Sequence, residues 1–98
     1  MNTPEGLSEE KQATPEVQTF CDKVKDVFLK KSGIKATRYL AVRYRSQVAV
    51  GTLYFVLVDV GDQFCILKIL IPLPNSGEGV TLIGFQCGKE KDCSIMLY

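Results

Sequence analysis

Four cysteines (Cys21, Cys65, Cys87 and Cys93) are the side chains here best suited to nucleophilic, redox or metal chemistry, and the chain contains no histidine to assist them. Imidazole is the usual base for a nucleophilic Cys or Ser and the commonest metal ligand. Its absence moves the expected chemistry from catalysis to binding, with no cofactor and no metal. No two cysteines stand in a Cys-x-x-Cys arrangement, so a zinc knuckle would need ligands that the chain does not supply. Cys87 and Cys93 flank a charged turn and would be bridged only if their Cβ atoms came close enough under oxidation. The start, Met1-Asn2-Thr3-Pro4-Glu5, has no apolar signal core, which points to a reducing cytoplasm and to four free thiols. Glu9 and Glu10 lie in a polar stretch with nothing to raise a carboxyl pKa, so they make no acid–base pair.

Arg38, Arg43 and Arg45 with Tyr39 and Tyr44 read either as a basic-aromatic nucleic-acid surface or as a solvated strand face with core tyrosines. Twelve basic residues against 11 acidic leave a net charge of +1, which favours the second reading. The longest apolar stretches, such as Leu53 to Val58, fall far short of the roughly 20 residues that span a bilayer. Neither nucleic acid nor membrane is an expected partner.

The most informative stretch is Gln47-Val48-Ala49-Val50-Gly51. Gly51 can take backbone angles closed to other residues, which suits a tight hairpin. Hairpin tips normally carry Asn, Asp, Ser or Lys because they face water. An apolar, uncharged tip is suited to insertion into a groove on another molecule.

That tip needs strands to hold it and something to cover them. Residues 1–13 are polar and without period, and read as a flexible N-terminal arm. Thr14-Pro15-Glu16 is a helix start: an N-cap hydroxyl, a proline in the first helical position and an acid at the positive end. Val17, Phe20, Cys21, Val24, Val27 and Phe28 then trace one apolar stripe, and Lys30, Lys31 and Gly33 mark the end of a single helix of about five turns. Strand patterns follow at Tyr39–Gln47, Thr52–Val60, Phe64–Ile71 and Val80–Cys87, with Leu40, Val42 and Tyr44 on one face of the first and Arg43 and Arg45 on the other. Pro72, Pro74, Asn75, Gly77 and Gly79 mark a loop, and Lys89–Asp92 a charged turn before the apolar tail Ser94–Tyr98.

One helix ahead of closely spaced strands makes an α+β domain spanning residues 1–98, with the helix packed across an antiparallel sheet. Both parities of the second strand are apolar: Tyr54, Val56, Val58 and Val60 on one, Leu53, Phe55 and Leu57 on the other. Either the outer face is greasier than usual, or it packs on, or exchanges strands with, a second copy as a homodimer or swapped oligomer.

Several short motifs in order resemble the stefins, the intracellular branch of the cystatin family of cysteine protease inhibitors. They are Gly6-Leu7-Ser8-Glu9, Ala13-Thr14-Pro15-Glu16, Gln47 to Gly51 (Gln-Val-Val-Ala-Gly in stefins), Leu73-Pro74, and Gly84-Phe85-Gln86. The resemblance implies a cystatin-like fold, no enzymatic activity and reversible inhibition of papain-like cysteine proteases such as cathepsins. It assigns the contacts to the arm at Glu5, Gly6 and Leu7, to Gln47, Val48, Ala49, Val50 and Gly51, and to the loop at Leu73, Pro74 and Asn75. Three positions depart from the pattern: Val-Ala-Val replaces Val-Val-Ala, Glu5 stands at an arm glycine, and Asn75 stands where glycine is usual. Weaker or narrower inhibition is the expectation. The alternative function is a non-inhibitory module of the same fold that self-associates through its apolar sheet face.

Overall fold

A computed structural model describes residues 8–96. In it Thr14 is extended, its hydroxyl accepts from the Val17 N–H at 3.2 Å, and Pro15 opens the helix. The helix is not one rod. It divides into α1 (Pro15–Lys23) and α2 (Lys25–Ser32) at Val24, whose N–H donates to the Cys21 carbonyl in a three-residue turn at 3.2 Å. The cause lies outside the helix. The Tyr39 hydroxyl donates to that same Cys21 carbonyl at 2.6 Å, competing with the regular i→i−4 ladder, a recognised origin of helix breaks. Val17, Cys21, Val24 and Phe28 are buried, whereas Val27, expected in the stripe, is 45% exposed. Gly33 ends α2 in the left-handed conformation at φ +72°, as its position predicts.

The strands are β1 (Lys11–Gln12), β2 (Leu40–Ala49), β3 (Gly51–Asp59), β4 (Phe64–Ile71) and β5 (Thr81–Lys89). They form one antiparallel sheet in the order β1-β2-β3-β4-β5. β1 was not foreseen: from Ser8 onward the expected loose arm runs along β2, with Lys11 opposite Tyr44 and Gln12 opposite Arg43. A bulge at Val42 also changes the face assignment of β2. Tyr44 packs towards the helices, while Val42 joins the apolar group on the other face.

Both faces of the sheet are covered. On one, the helices bury Val56, Val58, Val60, Leu67 and Ile69. On the other, Phe55, Leu57 and Ile66 are buried with Ile95 of the chain's own C-terminal tail. Of the apolar residues that raised the prospect of a second copy, Phe55 and Leu57 are buried within one molecule and Leu53 is half-buried. No buried polar or charged side chain occurs among the described residues. The cysteines depart from the expectation of four free thiols. Cys65 and Cys87 face each other on β4 and β5, Cα atoms 4.0 Å apart, and form a disulfide, leaving Cys21 and Cys93 as thiols. Cys87 is therefore not a partner for Cys93; the strand register, which spacing alone does not give, makes the pairing.

Candidate functional site

The Gln47–Gly51 stretch forms the tightest turn of the sheet. Ala49 pairs directly with Gly51, so Val50 alone makes the apex. Val48 is 71% and Val50 82% exposed. Nothing in the fold requires these side chains to be apolar, so their burial must come from elsewhere if it comes at all. Gly51 adopts φ +96°, and a Cβ there would collide with the Ile71 carbonyl oxygen and sit 3.1 Å from Pro72 Cα. Glycine is needed for both the angle and the close approach.

That approach joins the hairpin to the next loop. Thr52 pairs with Ile71, and the chain leaves β4 through Pro72, Leu73 and Pro74 at the same end of the sheet. The Ser76 N–H donates to the Leu73 carbonyl at 3.1 Å, closing a turn whose central residues are Pro74 and Asn75. Among the described residues no side-chain-bearing residue has positive φ, so Asn75 takes an ordinary right-handed turn angle and glycine is not demanded there. Leu73, 53% exposed, is the apolar side chain this loop presents.

The third expected contact begins beside the first. The Ser8 N–H donates to the Ser46 carbonyl at 2.7 Å, and the Ser46 N–H to the Ser8 hydroxyl at 2.8 Å. Ser46 precedes Gln47, so Ser8 is tied to the strand that leads into the hairpin. Glu5, Gly6 and Leu7 themselves lie outside the described residues. Gln47, Val48, Ala49, Val50 and Gly51 are brought together with Leu73, Pro74 and Asn75 at one end of the sheet. The result is an edge of uncharged residues with Val48, Val50 and Leu73 exposed. The open depression in the structure, about 540 Å³ and lined by Gln12, Val42, Arg43, Lys91 and Asp92, belongs to the outer face of the sheet and not to this edge.

The titratable groups give the edge no chemistry. Burial, with a smaller contribution from Asp22, pushes the Cys21 thiol up to about 12, so it is a neutral, enclosed side chain. Burial likewise raises Tyr39 and Tyr54, both set against the helices. No cluster among the described residues could hold a metal ion. The supposed basic surface is spent on structure. Arg38 pairs with Asp59 at 2.9 Å, and Arg43 and Arg45 bond to main-chain carbonyls. Reading the sequence missed that last role. The one available signal was a pair of alternating arginines on a strand, with an apolar tail at the far end of the chain.

The family model for the Cystatin domain matches residues 6–92. Cystatin-A of Homo sapiens is 42% identical over 90 residues, covering 91% of this chain and 92% of the relative. Leukocyte cysteine proteinase inhibitor 1 of Sus scrofa is 38% identical over 88 residues, 89% of this chain and 85% of the relative. Stefin-3 of Mus musculus is 39% identical over 87 residues, 88% of this chain and 84% of the relative.

Proposed function

The chain belongs to the cystatin family, in its stefin branch, and from that premise we propose that it is a reversible, competitive inhibitor of papain-like cysteine proteases, cathepsins among them. It is not an enzyme. The observation that carries the reading is the joining of hairpin and loop. Gly51 rests against Ile71 and Pro72, so Val48, Val50 and Leu73 are presented from one end of the sheet by backbone that is already ordered.

The mechanism follows from that placement. Apolar side chains that gain nothing in water gain on entering a cleft, at about 25 cal/mol per Å² of apolar area removed from water. A hairpin held by β2 and β3 and pinned against the end of β4 loses little conformational freedom on docking. Glu5, Gly6 and Leu7, continuing from Ser8, offer backbone N–H and C=O groups to the substrate groove beside the hairpin, as an added strand does. No side chain of the edge is a nucleophile, and no bond of it needs to be cleaved. The site occupies the enzyme's cleft, so substrate and inhibitor exclude each other.

Titration of papain with a fluorogenic peptide substrate tests this. Inhibition should be complete, reversible on dilution and relieved in proportion to substrate concentration. Absence of inhibition at micromolar concentration would overturn it. The self-associating alternative is disfavoured by the tail, because Ile95 already covers Phe55, Leu57 and Ile66.

A further inference from the structure

Two arginines on the outer side of β2 each bond both to the segment that leads into β1 and to the segment that follows β5. Arg45 donates from Nε to the Ser8 carbonyl at 3.1 Å and from Nη1 to the Ile95 carbonyl at 3.0 Å. Arg43 pairs through Nη1 with the Glu10 carboxylate and donates from Nη2 to the Lys91 and Cys93 carbonyls at 2.6 and 3.0 Å. The tail carbonyls engaged are those of Lys91, in the turn that the Cys93 N–H closes on the Glu90 carbonyl, and of Cys93 and Ile95 beyond it. Tail and β2 are thus joined by guanidinium forks, each a rigid plane whose donors point at fixed angles. The fork is itself anchored, because the side chain of Ile95 is buried among Phe55, Leu57 and Ile66.

The geometry points to a role for this clamp in binding. We infer that Arg45, held by the C-terminal tail, is a positioning residue for the N-terminal arm, so that the seating of the tail sets the lifetime of the protease complex. The inference rests on the reading given under Proposed function. Ser8 is the residue from which Leu7, Gly6 and Glu5 continue, and its main chain is tied by Ser46 on one side and by Arg45 on the other. An arm hung from a fixed point has fewer conformations to surrender when it lies along an enzyme, and so leaves it more slowly. The hydrogen bonds of Arg45 go to Ser8 and Ile95, not to the hairpin apex or the Leu73 loop, so its influence falls on the arm.

The test uses the full chain and papain. Complexes of the parent, Arg45→Gln and Arg45→Lys are diluted into fluorogenic substrate, and association and dissociation are followed separately. Arg45→Gln should dissociate about tenfold faster, the size of one lost charge-assisted hydrogen bond, with association within about twofold. Arg45→Lys keeps the charge, loses the fork and should fall between the two. It also answers the question if the glutamine variant does not fold. Deleting residues 94–98 should act in the same direction as Arg45→Gln. Deleting residues 1–7 should abolish the difference between the parent and Arg45→Gln, which a merely structural role for Arg45 would not do. Unchanged dissociation of both substituted chains overturns the inference, as does a tenfold effect that persists without residues 1–7. Failure of the parent itself to inhibit papain overturns instead the protease reading on which the inference stands.

Discussion

Replacing Gly51 by alanine puts the joined edge to its sharpest test. The methyl group meets two costs. The first is the left-handed angle, φ +96°, at about 1–2 kcal/mol for a non-glycine residue, part of which is returned by the stiffer unfolded chain. The second is the collision with the Ile71 carbonyl and the 3.1 Å approach to Pro72 Cα. Backbone cannot swing aside as a side-chain tip can, so the two loops must separate, at a further 1–3 kcal/mol or so. Gly33 isolates the first cost, since it has φ +72° and nothing lies within 4 Å of where its methyl would stand. Gly79 isolates neither, having open space and no positive φ. Gly33→Ala should lower Tm by about 5 °C and Gly51→Ala by about 10–20 °C, while Gly79→Ala changes it little. The inhibition constant against papain, measured at 25 °C on folded protein, should rise about tenfold or more for Gly51→Ala only. If Gly51→Ala loses stability as stated yet inhibits papain as the parent does, hairpin and loop do not act as one edge and the reasoning fails.

Val50→Asp should leave Tm within a few degrees, because the side chain is 82% exposed, yet weaken papain inhibition by about a hundredfold through burial of a carboxylate in the cleft; equal potency would remove the apex from the contact. Ile95→Ala should cost about 2–4 kcal/mol and bare Phe55, Leu57 and Ile66, so size-exclusion chromatography should show more concentration-dependent self-association than for the parent. The Cys65–Cys87 bridge closes a separation of 22 residues, worth up to about 3 kcal/mol, so a reductant should lower Tm by roughly 10 °C, and native alkylation should label Cys93 but not Cys21. The Cys21 thiol is pushed up from 9.0 to about 12, so its contribution to stability is complete below pH 9 and is lost as pH rises towards 12. Tm should fall over that interval, less steeply for Cys21→Ala; an identical slope would show that the thiol is not responsible.

What the sequence revealed and what it hid divide by range. The Thr14 cap, the Gly33 stop and β4 to the residue are local patterns, and each was legible, whereas the placing of the two loops at one end came from the resemblance. The break at Val24 was not, because its cause is a hydroxyl on Tyr39 that no helical periodicity registers. The bulge at Val42 shifts the parity of β2 by one, which moves Tyr44 and Val42 to opposite faces without changing the composition. The cysteine pairing depends on the β4–β5 register, and the reduced state was argued from compartment alone. Among the site residues, the hairpin was singled out from an apolar tip where polar residues are usual, whereas the loop at Leu73, Pro74 and Asn75 entered only through the resemblance to stefins. A loose arm was expected as far as residue 13, yet from Ser8 onward it is held by β2, through main-chain bonds that a polar composition does not announce.

The strand order has a consequence for how the molecule assembles. From β2 to β5 each strand lies beside its neighbour in the chain, so this part of the sheet is a meander that can zip from one hairpin to the next, whereas β1 reaches β2 only across the two helices. The join between Arg45 and Ile95 is different, spanning a separation of 50 residues. It is made of side chain to main chain bonds over a single buried anchor, Ile95. On the side of the sheet away from the helices, segments more than 80 positions apart in sequence are therefore laced to one strand by the same two side chains.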